Sequence, residues 1–189
     1  MGAWKRPITY EEYKKIDEVL RKGFLNHRPN PRIAAALLTE ANTGCRVGDV
    51  CQLTLDNFVR SGSEIRLVMT QQKRKKPRSI PVTQAFYDFI FNYAYENKIE
   101  RTARLFPITT RMIQYMLKEA CDYLGFEDKE LISTHSYRKM YGTSIYNQSE
   151  YDLYLTMIAL NHSSIETTKR YLGLESKRLH EAVQNTVFL

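Results

Sequence analysis

Two residues near the middle of the sequence could act together on a phosphate group. His135 and Arg138 are three positions apart, a spacing that puts both side chains on one face of a helix. A histidine exchanges a proton near neutral pH, and an arginine offers a planar pair of donors to two phosphate oxygens. This spacing is also common on ordinary helix surfaces, so the pair alone does not define a site.

A run of basic residues forms a second candidate site. Five of the six residues from Lys73 to Arg78 are lysine or arginine, with Pro77 as the exception. On a tight turn, such a run would reach phosphate groups well. The alternative is a solvated surface turn that binds nothing.

A tyrosine near the end of the chain is a candidate nucleophile. Tyr171 follows His162 by nine residues. A tyrosine hydroxyl has a pKa near 10 and attacks poorly until its proton is removed. Since the chain has 13 tyrosines, Tyr171 taken alone could equally be a half-buried aromatic residue of a helical domain.

The elements that position these residues are predicted to be mostly helical. Capping residues and apolar periodicity predict helices over 9–23, 30–44, 83–97, 109–124, 135–146, 149–160, 165–172 and 175–183. Alternation predicts strands over 64–69 and 78–82, which form a hairpin around the basic turn, and a third strand near 56–60. The expected fold class is α+β, mainly α-helical with a small antiparallel β-sheet, in one domain over 1–189.

The composition points to a polyanionic partner. With 28 basic and 21 acidic residues the net charge is +7, and the isoelectric point is about 9.3. Nucleic acid is the first candidate and an anionic membrane the second, although a basic protein need not bind either. No apolar run is long enough to span a membrane. The three cysteines, Cys45, Cys51 and Cys121, form no CxxC pair, which favours buried thiols in a reducing compartment.

The order and spacing of these residues together resemble the phage-integrase family of tyrosine recombinases, from about Thr9 to Leu174. The family's first arginine motif resembles Thr-Gly-Cys-Arg-Val-Gly-Asp-Val at 43–50, and its hairpin lysine resembles Lys73, eight residues before Pro81. His135 and Arg138 match the family's His-x-x-Arg box. His162 matches the histidine of its Leu-Gly-His box, and Tyr171 falls where the nucleophile belongs. The catalytic residues that the resemblance implies are Arg46, Lys73, His135, Arg138, His162 and Tyr171.

The resemblance also implies a role for each group in phosphodiester transfer. Arg46 and Arg138 would bind the non-bridging oxygens, where charge grows in the transition state. Lys73 would protonate the departing 5′-hydroxyl, His135 would handle the tyrosine proton, and His162 would hydrogen-bond the phosphate. Asp49, one turn after Arg46, is either an orienting carboxylate behind the site or an ordinary surface residue.

Two positions depart from the family pattern. Asn161 replaces the usual glycine before His162, and Lys139 follows Arg138 where histidine is frequent. Neither change removes a catalytic group.

The resemblance implies a double-stranded DNA partner, no cofactor and no metal, since two arginines and a lysine can neutralise the phosphate. It also implies that a C-terminal segment, here containing Leu179, Val183 and 187–189, packs either on a neighbouring protomer in a tetramer or on its own core. A cytoplasmic, nucleoid-associated location is expected in a bacterium or a phage-infected host.

Further DNA contacts are expected from basic residues outside the catalytic set, each with a solvated surface role as its alternative. They are Arg74, Lys75, Lys76, Arg78, Arg111, Lys139, Lys169 and Arg170.

Three activities remain open at this stage. The first is a site-specific recombinase or integrase of a mobile element such as a phage. The second is a type IB topoisomerase, which shares the mechanism, although the contexts of Arg46 and His162 look more like an integrase. The third is a non-catalytic DNA-binding regulator, which would be expected to have lost a catalytic residue. Only about eight residues precede the first predicted helix, so we expect no N-terminal core-binding domain in this sequence, which is either an excised fragment or a natural single-domain form. Without that domain we expect weak, salt-sensitive DNA binding.

Overall fold

The predicted capping residues begin the first two helices. In the computed structural model, which describes residues 5–72, 75–174 and 183–184, Thr9 and Glu12 form a reciprocal capping box. The backbone N–H of Glu12 donates to the Thr9 hydroxyl, and the Glu12 carboxylate accepts from the Thr9 N–H. Asn30 caps the second helix through Ile33 N–H, with proline in its first turn.

The chain divides into two structural units, 1–141 and 142–189. The first unit combines helices with a small sheet. Its elements are α1 (Tyr10–Lys22), α2 (Pro31–Thr43), α3 (Val47–Val50), β1 (Phe58–Ser61), β2 (Glu64–Thr70), β3 (Pro77–Pro81), α4 (Gln84–Glu96), α5 (Thr110–Tyr123) and the start of α6 (Thr134–Gln148). The second unit contains the end of α6, α7 (Leu153–Leu160) and α8 (Ile165–Leu172).

The three strands form one antiparallel sheet in the order β1-β2-β3. Leu67 of β2 pairs with Phe58 on one side and with Ile80 on the other, and all three side chains are buried. Exposed residues alternate with buried ones along β3, as expected for a sheet with one solvated face. The predicted α+β fold class and the hairpin are confirmed.

The core of the first unit lies between its helices and the buried face of the sheet. Ile16 of α1, Ile33 of α2, Ile113 of α5 and Tyr137 of α6 are all fully buried. Burial raises the pKa of the Tyr137 hydroxyl well above its ordinary value. The cysteines Cys45, Cys51 and Cys121 are buried free thiols, as predicted.

One predicted helix boundary is wrong. The helix expected over 149–160 begins at Leu153, because Glu150 and Tyr151 adopt positive φ angles of 55° and 69°. Asp152 then caps the helix, and its carboxylate accepts from the N–H groups of Tyr154 and Leu155. Most of the helix predicted over 175–183 lies outside the described residues.

Candidate active site

Arg46 lies in the tight loop that joins α2 to α3. Gly44 ends α2 with a left-handed φ of 56°, and its N–H donates to the carbonyl of Glu40 at 2.9 Å. A Cβ atom at position 44 would lie 2.3 Å from Cδ1 of Tyr141, so both the backbone angle and the close packing require glycine. The Arg46 carbonyl then accepts from Asp49 N–H, which fixes the backbone at the start of α3.

The carbonyl of Gly44 accepts hydrogen bonds from two buried arginines. Nη1 of Arg138, on α6, donates to this oxygen, and so does Nη1 of Arg78, on β3, at 3.2 Å. Nη2 of Arg78 also donates to the Thr43 carbonyl at 3.1 Å. These bonds satisfy carbonyls left open at the end of α2, where cations are also favoured by the helix dipole. We call Gly44, Arg46, Arg78 and Arg138 the arginine cluster.

A buried carboxyl lies behind the arginine cluster. Glu40 of α2 is buried, and burial raises its pKa well above the ordinary value, while Arg138 and the Val47 N–H oppose that rise. Glu40 is not among the site residues predicted from the sequence. A signal was available, because Ile33, Leu37 and Glu40 follow the helical spacing of one buried face.

His135 lies in the first turn of α6, one turn before Arg138. Its side chain is exposed, whereas Arg138 is 2% exposed. The start of this helix is fixed by Ser133, whose N–H donates to the Ser136 hydroxyl at 3.0 Å. One helix turn therefore carries both a solvent-facing histidine and a buried arginine.

Asp49 connects α3 to the hairpin. Its carboxylate is buried, and Oδ1 accepts from the backbone N–H of Gln72 at 2.9 Å. Gln72 directly precedes Lys73, which lies outside the described residues together with Arg74. This contact supports an orienting role for Asp49 toward the hairpin turn.

In the second unit, His162 and Tyr171 lie against each other. Their ring centroids are 5.0 Å apart, with the ring planes at 76°. Tyr171 is half-buried in the last turn of α8, and Nδ1 of His162 lies 3.1 Å from the hydroxyl of Thr168. Asn161 has a φ of 51° at the end of α7. Asparagine is the residue that replaces glycine most readily in this conformation, which explains the departure from the family pattern.

The residues predicted to contact DNA divide by exposure. Arg78 is 5% exposed and bound to backbone carbonyls, which supports a structural role within the arginine cluster, and its contact with phosphate stays a prediction. Lys139 is also buried, and burial lowers its pKa to about 8. Lys169 is half-buried, and Arg74 is not described. The exposed members are Lys75, Lys76, Arg111 and Arg170.

Two other features are absent from the described residues. No histidine, cysteine or carboxylate side chains gather there in a group of three that could hold a metal ion. None of the helices in that part of the chain has both the length and the apolar composition needed to cross a membrane.

The chain is similar in sequence to curated integrases and recombinases. The chain is 29% identical over 169 residues to "Probable integrase/recombinase YoeC" of Bacillus subtilis, covering 86% of this chain and 87% of that protein. It is 27% identical over 197 residues to tyrosine recombinase XerA of Pyrococcus furiosus, covering 97% of this chain and 63% of that protein.

A solved structure shares the fold. The crystal structure of XerH site-specific recombinase, bound to palindromic difH substrate in a post-cleavage complex, superposes with a TM-score of 0.71 at 20% identity. The match covers 97% of this chain and 54% of that one, so the chain spans about half of XerH and somewhat under two thirds of XerA. The model of the phage integrase family matches residues 7–178, and the chain therefore belongs to that family.

Proposed function

We propose that this chain is the catalytic domain of a tyrosine-type site-specific recombinase or integrase, and that it cuts and rejoins double-stranded DNA through Tyr171. The observation that carries the proposal is the arginine cluster, in which Arg138 donates to the carbonyl of Gly44, two residues before Arg46. Arg138, fixed by this bond, and Arg46, placed by the adjacent loop, are the two guanidinium groups that we assign to the two non-bridging oxygens of a phosphodiester. The contact of His162 with Tyr171 gives further support.

In the proposed reaction, the Tyr171 oxygen attacks the phosphorus and the bond to the 5′-oxygen breaks. The tyrosine proton passes to a histidine, His135 in our assignment, and the leaving 5′-oxygen takes a proton from Lys73. Arg46 and Arg138 bind the charge that grows on the phosphate oxygens, and His162 adds a hydrogen bond. The resulting 3′-phosphotyrosine keeps the energy of the phosphodiester, so a second 5′-hydroxyl can reverse the step without ATP.

The proposal is tested with a nicked DNA substrate whose short 5′ fragment diffuses away after cleavage and leaves the covalent complex trapped. We expect a protein–DNA adduct that mass mapping assigns to Tyr171. The Tyr171→Phe variant should bind the same DNA and form no adduct, because it lacks the attacking oxygen. An adduct on another residue, or one that persists in Tyr171→Phe, would show that the nucleophile is assigned wrongly.

We also propose that the domain assembles as a tetramer on DNA through its C-terminal segment, and that it acts in the cytoplasm of a bacterium or phage-infected host, where its substrate lies. Exposed apolar side chains support the self-association, since Leu155 and Ile158 of α7 are about half exposed and Val183 of the C-terminal segment is more so. Deletion of residues 174–189 should leave the domain folded and monomeric on DNA. A deleted chain that still forms tetramers would locate the interface elsewhere.

A further inference from the structure

The hydroxyl of Thr168 has a defined hydrogen-bonding role beside His162. Thr168 is fully buried on α8, and its Oγ1 lies 3.3 Å from the carbonyl oxygen of Ser164, one turn earlier. A carbonyl oxygen only accepts, so this bond requires the single hydroxyl proton of Thr168 to be directed to Ser164. This bond from a threonine to the carbonyl four residues back is common within helices.

Nδ1 of His162 lies 3.1 Å from the same hydroxyl oxygen. While the hydroxyl proton is donated to Ser164, the oxygen can only accept from the ring; a hydroxyl turned toward His162 would lose the Ser164 bond. Both hydrogen bonds therefore form together only when Nδ1 carries a proton. In the neutral imidazole, one nitrogen is the donor and the other the acceptor, so Nε2 is left without a proton.

We propose that Thr168 is a positioning residue that fixes His162 in the Nδ1–H tautomer and leaves Nε2 as the nitrogen that exchanges protons. The neutral ring takes a proton from water at Nε2, and the resulting imidazolium donates from Nε2 to a phosphate oxygen while Nδ1–H stays bound to Thr168. The same bond fixes the orientation of the ring beside Tyr171. The catalytic importance of this arrangement rests on the proposed function, whereas the tautomer itself does not.

The tautomer is measured directly by NMR on the full chain with ¹⁵N-labelled histidine, at about pH 8.5, where an ordinary imidazole is neutral. The His162 signals are assigned by their loss in His162→Asn. We expect a protonated Nδ1 and an unprotonated Nε2 in the wild-type chain. An Nε2–H tautomer of His162 in the wild type would overturn the proposal, whether or not the chain cleaves DNA.

Three variants separate positioning from general structure. Thr168→Val keeps the shape of the side chain and removes the acceptor, so we expect Nδ1 to lose its proton. Thr168→Ser keeps the hydroxyl and should retain the wild-type tautomer. Thr167→Val is the matched control, because the Thr167 hydroxyl bonds to the Ser164 side chain rather than to His162. If all three variants keep the Nδ1–H tautomer, Thr168 does not determine it.

Single-turnover cleavage of the nicked substrate then tests the catalytic consequence. Thr168→Val should lower the cleavage rate about 10-fold or more with unchanged DNA affinity, because a misplaced reacting group slows the step without weakening binding. Thr168→Ser and Thr167→Val should cleave within about 2-fold of the wild type. A wild-type rate in a Thr168→Val chain with an altered tautomer would remove Thr168 from the catalytic machinery, whereas a wild-type chain that never cleaves would refute the proposed function and leave the tautomer result intact.

Discussion

The arginine cluster of the first unit and the His162–Tyr171 pair of the second are assembled from contacts of very different range. Arg138 and Gly44, which share a hydrogen bond, are 94 positions apart, and Arg78 and Gly44 are 34 apart. His162 and Thr168 are six apart. The cluster thus depends on tertiary folding. The pair depends on contacts between α8 and the turn directly before it. Substitutions of Gly44 and Arg78, the two members of the cluster without a proposed catalytic role, should be seen mainly in stability, and substitutions around the pair mainly in the rate of cleavage.

The largest stability effect is expected at Gly44. Gly44→Ala places a Cβ against the Tyr141 ring and forces alanine into a left-handed conformation, so unfolding should be easier by about 3 kcal/mol or more. Gly125→Ala is the matched control, because Gly125 has a similar φ of 67° and no atom within 4 Å of an added Cβ. That control should cost about 1 kcal/mol. Urea denaturation measures both, and equal losses would show that packing against Tyr141 contributes nothing.

The second effect concerns Arg78. Arg78→Met removes its bonds to the carbonyls of Thr43 and Gly44, so we expect a loss of about 2 kcal/mol in unfolding free energy. Lys76→Met is the control on the exposed part of the hairpin. It should leave stability within about 0.5 kcal/mol and lower the salt dependence of DNA binding by about one phosphate contact. A stable Arg78→Met with the weakened DNA binding expected of Lys76→Met would place Arg78 in the DNA-contacting set.

The burial of Arg78 shows which part of the site the sequence could predict. Caps such as Thr9 and Asn30 act on neighbours three residues away, so sequence alone predicted the helix starts. All five basic side chains of the run 73–78 were predicted to be surface cations. Strand alternation separates them, because Arg78 lies two residues before buried Ile80 and therefore on the same face of β3.

The contacts of the arginine cluster could not be predicted in the same way. The sharing of one carbonyl by Arg78 and Arg138 depends on how β3 and α6 pack against the end of α2. No local pattern encodes that packing. The motif around Arg46 was recognised as a string of residues, but its glycine is explained only by the Tyr141 ring beside it.

The smallest effect is expected at Lys139, which follows Arg138 on α6 and is also buried. Burial lowers the pKa of its ammonium from an ordinary 10.5 to about 8. Between those two values the unfolded chain binds the proton that the folded chain has lost, so this residue makes stability rise with pH from about 8 to 10.5. At neutral pH both states are charged, and the folded state carries the desolvation cost. Lys139→Met should therefore stabilise the chain at pH 7 by about 1 to 2 kcal/mol and abolish that part of the rise, as measured by denaturation at a series of pH values.

DNA affinity and its salt dependence should stay at wild-type values in Lys139→Met. If Lys139→Met is instead less stable and binds DNA more weakly, the ammonium reaches the phosphate backbone and is a partner of DNA after all.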